Sequence, residues 1–546
     1  MMDWAEADRN DLILLLILSG GFHLERNFKV IFVFFNFALY FLAFFFTSSS
    51  LIISIFFHIF SDSPRRRDLS AEEAENMGCD GTCYILLMFV FFLTYSDARL
   101  SSKVGINYGK LGDNLPSPLV SRSLIDSINS GGVKIYDADP SILKVLSNTN
   151  IPISIMVPNQ LIPAIGTNLS AADQWVKTNL LPFIPDARVR YLLVGNEILS
   201  DYSIRNSTWG LLVPAIVNIK RVLTSLSVKD VKVGTTMAMD VLSASFPPSA
   251  GEFRKDIAKD VVAPMLEFLR KTRSFFFIDA YPYFVWSENW KSVSLEYALL
   301  DPKATTSYVD AGTKLVYKNM LEQMLDAVAF AMDKLGYSDV PIAIAETGWP
   351  NAGDYDQIGA NPRNAATYNR NLARWVKAGK HTPARPKKNK SPSFVFSLFN
   401  ENQKPGRGTE RHWGVFYPNG SHVYGLDLSG RTADAEYPNL PPGKNNEPYK
   451  GKIWCVVAPE IRKPSVNVTA NLNGALAYAC GQGNNTCDAI LEDGKCREPN
   501  TVVAHASYAF NSYWQQFRWS GGTCFFNGLA EQTVVDPSFG SCKYTA

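Results

Sequence analysis

Cysteine is missing from most of this sequence and concentrated at its end. No cysteine occurs between Ser101 and Trp454, whereas six of the eight fall in the last hundred residues, at Cys455, Cys480, Cys487, Cys496, Cys524 and Cys542. A short segment so rich in cysteine predicts a disulfide framework made in an oxidising compartment, although six cysteines allow 15 pairings. Zinc binding is the alternative, but it favours CxxC or CxxH pairs, which this segment lacks.

An excess of charge is missing as well. The 53 basic and 51 acidic residues leave a formal net charge of +2, so no strong field attracts nucleic acid or an anionic membrane surface. We therefore expect a neutral partner and no nucleic acid. No cluster of ligand residues suggests a metal or an organic cofactor, and none is expected. The length of 546 residues and 46% hydrophobic content predict two or more globular units.

The N-terminal region contains two apolar runs of different length. Val30 to Phe60 lacks Asp, Glu, Lys and Arg and is long enough to span a bilayer, whereas Tyr84 to Leu93 has the length of a signal-peptide core. A small-x-small pattern follows the second run, although no basic residue lies between Met77 and that run. We expect residues 77–98 to be a signal peptide and residues 1–76 a doubtful upstream extension. The alternative is a membrane anchor formed by the first run.

The rest of the chain predicts a (β/α)8 TIM barrel of α/β class, over residues 103–430, followed by a small disulfide-rich domain over 454–546. A polar, proline-rich stretch at 431–453 is expected to link them. Eight apolar runs alternate with helical segments, at Val104–Tyr108, Val133–Tyr136, Ile153–Val157, Val189–Val194, Val231–Thr235, Phe275–Ala280, Ile342–Ala345 and Phe394–Phe399. A doubly wound open sheet is the alternative, but no glycine-rich phosphate loop follows the first run.

Two glutamates follow buried runs on opposite sides of the predicted barrel. The fourth run, VRYLLVGNE, ends in Asn196 and Glu197, and the seventh, PIAIAETGWP, delivers Glu346. Barrels of this type place their chemistry at the C-terminal ends of the strands. Two carboxyl groups at one mouth are what glycoside hydrolysis requires, since one protonates the leaving oxygen and the other attacks or activates water. A single glutamate at a strand end is more often merely solvated.

Further candidates lie at the same mouth. Glu401, Lys404 and Glu410 follow the eighth run, where their charges are suited to tune the pKa values of the pair; an ordinary charged surface loop is the alternative. Aromatic rings that stack on sugars are expected at Tyr136, Tyr281, Tyr283 and Trp349. Each ring taken alone is as easily part of the core.

These motifs resemble glycoside hydrolase family 17, the plant β-1,3-glucanases, from Val104 to about Leu428. The resemblance is carried by GINYGKLGDNLPSP, KIYDADP, VGNE, DAYPYF, ETGWP and FNENQKP. It implies a retaining mechanism with Glu197 as acid/base and Glu346 as nucleophile, supported by the three charged residues after the eighth run. Asp279 departs from the family pattern, where asparagine is expected, and an extra carboxylate there bears on pH optimum or subsite preference.

The segment from Trp454 to Cys542 resembles carbohydrate-binding module family 43 (X8-type), through IWCVV, GNNTCDAI, ASYAFNSYWQ, CFFNGLA and the cysteine spacing. That resemblance implies binding to β-1,3-glucan. Four aromatic residues are candidates for stacking on sugars, about half of which are expected to build the core instead: Tyr508, Phe510, Tyr513 and Trp514.

Together the two resemblances imply a glucan endo-1,3-β-glucosidase that acts on callose- or laminarin-type chains. We expect a monomer, secreted to the cell exterior or wall, with membrane contact only if the first apolar run is retained. The alternative is a non-catalytic glucan-binding wall protein that keeps the barrel as a scaffold. The presence of both Glu197 and Glu346 argues against that alternative.

Overall fold

The computed structural model describes residues 104–379, 381–386, 391–461 and 465–546. The hypotheses of a signal peptide at 77–98, an upstream extension at 1–76 and a membrane anchor within it lie outside the described residues. None of the helices in the described part of the chain is both long and apolar enough to cross a membrane.

Eight parallel strands close into a barrel, which confirms the predicted (β/α)8 fold. Each strand pairs with its neighbours in chain order, and the first pairs with the last. The strands are β1 (Gly105–Tyr108), β2 (Val133–Ile135), β3 (Ile153–Val157), β4 (Val189–Asn196), β5 (Lys232–Ala238), β6 (Phe276–Asp279), β7 (Ile342–Thr347) and β8 (Ser393–Val395). All eight overlap the predicted runs.

Strand β8 is shorter than predicted, although Phe396 and Leu398 still donate to the carbonyls of Thr347 on β7 and Asn107 on β1, both at 2.8 Å. The same segment also pairs with the chain that follows it. The N–H of Val415 donates to the carbonyl of Ser397 at 3.0 Å, and the N–H of Phe416 donates to the carbonyl of Leu398 at 2.9 Å. This pairing folds the loop after β8 back against the end of that strand.

Helices surround the barrel, because each strand is apolar on both faces and must be covered on the outside. Residues that fill the space between strands and helices form one large core. The helices are Pro118–Ser127, Pro140–Leu146, Ile162–Thr167, Leu169–Asn179, Arg205–Thr208, Leu212–Ser225, Lys255–Ile257, Ala263–Thr272, Pro282–Glu288, Leu295–Ala298, Met320–Lys334 and Pro362–Lys377. Two hairpins join them, Leu242–Ala244 with Glu252–Phe253 and Tyr308–Val309 with Val316–Tyr317.

A separate aromatic cluster fills the barrel interior. The ring of Tyr191 lies 5.7 Å from that of Phe277 and 6.5 Å from that of Phe394, in edge-to-face geometry. Met156 and Leu193 belong to the same cluster. The interior is therefore a packed plug and not a channel, so that a site at the mouth has a solid floor.

The C-terminal domain pairs two helices with a two-stranded sheet. Helices Val466–Cys480 and Val502–Phe517 pack together, and strand Trp454–Val457 runs antiparallel to Ala530–Thr533. The predicted disulfides are present, joining Cys455 to Cys524, Cys480 to Cys487 and Cys496 to Cys542. Bridges of this kind reinforce a core too small to hold the fold alone.

The stretch between the two domains lies against the barrel. The guanidinium of Arg370 sits 3.6 Å from the ring centre of Tyr437, and Arg374 binds both carboxylate oxygens of Asp434, at 2.6 and 3.0 Å. Further along, the N–H of Gly359 donates to the carbonyl of Asn445 at 2.6 Å. These contacts give the stretch a defined course.

The C-terminal domain contacts loops that follow β7 and β8. The side chain of Gln532 accepts a hydrogen bond from the N–H of Tyr355 at 2.9 Å and donates one to Asp356 at 3.3 Å. The guanidinium of Arg411 lies 3.9 Å from the ring centre of Phe525. The small domain is thereby seated beside the loops that border the barrel mouth.

Candidate active site

A cavity of about 720 Å³ opens at the C-terminal ends of the strands. Its walls include residues at or just after the C-terminal ends of β1, β2, β4, β5, β6, β7 and β8. The cavity brings together eight of the ten residues predicted for catalysis, support or sugar contact: Tyr136, Asn196, Glu197, Tyr281, Glu346, Glu401, Lys404 and Glu410. Among the described residues, no cluster of three or more His, Cys, Asp or Glu side chains is placed to hold a metal ion.

Glu346 lies near the end of β7 with three donors around its carboxylate. Lys134 Nζ is 2.8 Å from Oε1, the hydroxyl of Tyr281 donates to Oε2 at 2.8 Å, and the hydroxyl of Tyr136 donates to Oε1. Burial opposes ionisation here, but the charge of Lys134 and these hydrogen bonds outweigh it, so the pKa of Glu346 lies below its ordinary value. The carboxylate is therefore held ionised.

Lys134 was missed by the sequence analysis. It lies on β2 and is 0% exposed, and its ammonium also sits 3.8 Å from the ring centre of Tyr136. A lysine inside an otherwise apolar strand was the available signal, because a buried ammonium requires a partner. The sequence did not show which carboxylate that partner is.

Glu197 occupies a strained position just after β4. Its backbone is left-handed, with φ 49° and ψ 36°, and Gly195 two residues earlier has φ 79°. Such a conformation costs a residue other than glycine about 1–3 kcal/mol. The N–H of Glu197 donates to the carbonyl of Thr236 at 3.2 Å, which ties the turn to β5.

The carboxyl group of Glu197 is perturbed in the direction opposite to that of Glu346. Burial, followed by the negative charge of Glu346, raises the pKa of Glu197 to about 7. Paired carboxyl groups whose environments push their pKa values apart are suited to separate acid and base roles. Glu197 is protonated under conditions in which Glu346 is ionised.

Asn196 is held by two neighbours. Its N–H donates to Asn159 Oδ1 at 2.7 Å, and Asn159 returns a hydrogen bond to its carbonyl at 2.9 Å. Its side-chain oxygen accepts from the hydroxyl of Thr236 at 2.9 Å. Asn159, which the sequence analysis did not single out, thus orients the residue that precedes Glu197.

The loop after β8 brings its predicted charges to the rim. Glu401 accepts a hydrogen bond from the N–H of Leu111 at 2.7 Å, and burial raises its pKa. A Cβ at Gly109 would lie 2.3 Å from this carboxylate, so any larger residue there would displace the carboxylate from this position. Lys404 pairs with Glu410 at 3.2 Å.

Two of the four predicted sugar-stacking rings lie behind the cavity wall. Trp349 is 0% exposed and donates its indole N–H to the carbonyl of Gly359 at 2.8 Å. Tyr283 is also buried, with its ring centre 5.2 Å from that of Trp349. These rings belong to the core, so we do not retain them as sugar contacts. Phe284 and Trp413 line the cavity in their place.

A closed barrel with two oppositely perturbed carboxyl groups at its mouth defines a glycoside hydrolase. Residues 104–428 match the family described as Glycosyl hydrolases family 17, and residues 453–531 match the X8 domain. The chain belongs to glycosyl hydrolase family 17.

Named relatives agree with this membership. The chain is 49% identical over 447 residues to "Probable glucan endo-1,3-beta-glucosidase A6" of Arabidopsis thaliana, covering 82% of this chain and 91% of that protein. It is 35% identical to a "Glucan endo-1,3-beta-D-glucosidase" of Olea europaea, covering 84% and 97%.

Solved structures match the barrel portion. A β-1,3-glucanase and allergen of Cryptomeria japonica pollen superposes with a TM-score of 0.56 at 37% identity, covering 60% of this chain and 99% of that one. One of two plant β-glucan endohydrolases with distinct substrate specificities superposes with a TM-score of 0.54 at 32% identity, covering 59% and 100%.

The buried pair of Lys134 and Glu346 is testable through stability. Lys134→Met leaves a buried carboxylate without its cation, and we expect a loss of about 3–5 kcal/mol in the free energy of unfolding at pH 7. The loss should shrink as the pH falls, because the pKa of Glu346 is then raised and its carboxyl can take up a proton.

Denaturant unfolding of four proteins measures this coupling: the wild type, Lys134→Met, Glu346→Gln and the double variant. The double variant should recover most of the loss, since no unpaired charge remains. Additive losses from the two single substitutions would contradict a direct pair.

Proposed function

We propose that this chain is an endo-acting hydrolase of β-1,3-glucan. The observation that carries the proposal is the pair of glutamates, Glu197 protonated and Glu346 ionised, facing one cavity. The names of the similar plant proteins supply the linkage, β-1,3, and the endo mode of attack. A scaffold that only bound glucan would not need two carboxyl groups held in opposite protonation states.

In the first step Glu346 attacks the anomeric carbon and forms a covalent glycosyl ester, while Glu197 gives its proton to the leaving glycosidic oxygen. Lys134, Tyr136 and Tyr281 orient the attacking carboxylate. The ionised Glu346 needs no proton removed before it attacks.

In the second step Glu197 reverses its role. Ester formation removes the negative charge of Glu346, which is one of the causes of the raised pKa of Glu197. The pKa of Glu197 therefore falls once the intermediate exists, and the ionised group takes a proton from the attacking water. Two displacements at one carbon retain its configuration.

We also propose that the C-terminal domain binds glucan through exposed rings. Phe510 and Trp514 are buried in its core, in keeping with the expected split among its aromatic residues. Trp519, which the sequence analysis did not single out, is 78% exposed, with the guanidinium of Arg518 at 4.8 Å from its ring centre. An exposed indole offers a flat apolar face to a sugar ring.

The position of the domain supports cooperation with the barrel. Because Gln532 and Phe525 seat it on loops beside the mouth, a chain held by the domain stays close to the cavity and at a high effective concentration. We further propose that the protein is exported, since its three disulfides require an oxidising compartment.

The hydrolase assignment is tested by reducing-end release from β-1,3-glucan, with mixed-linkage and β-1,4-glucans beside it. The full chain produced in a secretory host should release short β-1,3-oligosaccharides. Glu346→Gln should lower the rate by at least about a hundredfold, whereas the exposed Glu447→Gln serves as the matched control. Glucan binding without release would contradict the assignment.

The same assay carries a pH prediction. The value of kcat/KM should fall as the pH rises through about 7, where Glu197 loses its proton. On the acid side it should fall only below the ordinary pKa of a glutamate, because the pKa of Glu346 is lowered. An optimum well above pH 7 would contradict these roles.

Trp519→Ala tests the C-terminal domain. We expect it to weaken retention of the full chain on insoluble β-1,3-glucan by roughly tenfold, as loss of one ring contact implies, and to leave hydrolysis of short soluble oligosaccharides intact. Tyr417→Ala, an exposed ring on the barrel, is the control. Equal retention of wild type and Trp519→Ala would rule out Trp519 as a glucan contact.

A further inference from the structure

A third carboxyl group, that of Asp279, faces the cavity next to Glu197, to which it is hydrogen-bonded. Asp279 ends β6, where it is in register with Glu346 on β7 and with Ala238 on β5. It lines the cavity, is 2% exposed, and accepts no hydrogen bond from a described backbone, hydroxyl, amide or ammonium donor. A buried carboxyl group without such a donor is costly, so a ligand that donates a hydrogen bond to it is expected.

The charges around Asp279 leave no cation for it. Lys134, on β2, is bound to Glu346. The other two lysines that line the cavity are also engaged, Lys110 with Asp139 and Lys404 with Glu410. The remaining titratable groups near Asp279 and Glu197 are acidic or phenolic: Tyr136 after β2, Glu197 after β4, Asp240 after β5, Tyr281 after β6, Glu346 on β7 and Glu401 after β8. Three buried carboxyl groups thus share one ammonium, and like charges so close do not all ionise.

Hydrogen bonds decide which carboxyl group keeps the negative charge. Glu346 accepts from Lys134, Tyr136 and Tyr281, while Asp279 accepts from none of the described groups. Burial, then the charges of Glu346 and Glu197, raises the pKa of Asp279 well above its ordinary value. Asp279 therefore carries a proton across the range in which Glu346 is ionised.

We propose that Asp279 is a substrate-contacting residue that works as a neutral carboxylic acid, donating its proton to the carboxyl of Glu197 and accepting a hydrogen bond from a sugar hydroxyl next to the cleaved bond. A protonated carboxyl has one donor and one acceptor. Because the donor is directed to Glu197, the acceptor is left for the sugar hydroxyl. This proposal rests on the proposed function, since it assumes a glucan in the cavity.

The competing role for Asp279 is an ionised carboxylate that stabilises positive charge at the anomeric carbon. The two roles predict different effects of replacing Asp279 with asparagine. Asparagine has the shape of the neutral acid together with a donor and an acceptor, but it cannot carry a negative charge. Alanine lacks the shape, the donor and the acceptor.

Kinetics of Asp279→Asn and Asp279→Ala in the full chain, on a β-1,3-gluco-oligosaccharide of defined length, distinguish these roles. We expect kcat/KM to fall about threefold to tenfold for asparagine and about a hundredfold for alanine, because alanine leaves the hydroxyl of a buried sugar unpaired. An equal, hundredfold loss in both variants would overturn the proposal in favour of the charged role. Near-wild-type activity of Asp279→Ala would show that Asp279 makes no important contact with the sugar and would overturn the proposal.

The pH profile gives an independent reading. If Asp279 is neutral, the basic limb near pH 7 should keep its position in Asp279→Asn, because Glu197 faces an uncharged neighbour in both proteins. If Asp279 is ionised, the substitution removes a negative charge and the pKa of Glu197 should fall, moving that limb to lower pH.

Binding separates failure of this proposal from failure of the proposed function. In the Glu346→Gln background, calorimetry with the same oligosaccharide should show weaker binding for the added Asp279→Ala than for Asp279→Asn, by about tenfold. Thermal unfolding of each variant checks that it is folded. Binding that follows this order without any hydrolysis by the wild type would support the contact and contradict the hydrolase assignment; equal binding would overturn the contact.

Discussion

The buried ion pair of Lys134 and Glu346 controls the protonation of the other groups at the barrel mouth. Removing two charges from water costs several kcal/mol per ion, which is offset only when the geometry and the added hydrogen bonds are favourable. Here two tyrosine hydroxyls donate the additional hydrogen bonds to the carboxylate of Glu346. Because the buried ammonium of Lys134 is committed to Glu346, burial and repulsion hold the protons on Glu197 and Asp279.

The barrel holds this arrangement rigidly. The plug around Tyr191 supports the floor, and parallel pairing of β4 with β5 supports the left-handed turn that carries Glu197. The C-terminal domain adds a second support, because Arg411 contacts Phe525 and also donates to the carbonyl of Lys404 at 3.1 Å. The loop after β8 is thus in contact with both domains.

The sequence was sufficient to predict the strands and the residues at their ends, because an apolar run followed by Asn196 and Glu197 is a local pattern. It was not sufficient for Lys134, whose partner lies 212 residues away in the chain, or for the disulfide pairing. Trp349 was misplaced because an aromatic residue after a strand suits a cavity wall and a core equally well. Such contacts depend on how distant segments meet, which periodicity does not encode.

The division of roles between Glu197 and Glu346 is tested most directly by the anomeric form of the first product. Proton NMR during the first minutes of hydrolysis of a β-1,3-gluco-oligosaccharide distinguishes new β reducing ends from α ends before mutarotation mixes them. Attack by Glu346 followed by water predicts that the β form appears first. Initial release of the α form would show a single displacement by water and would contradict the nucleophilic role of Glu346.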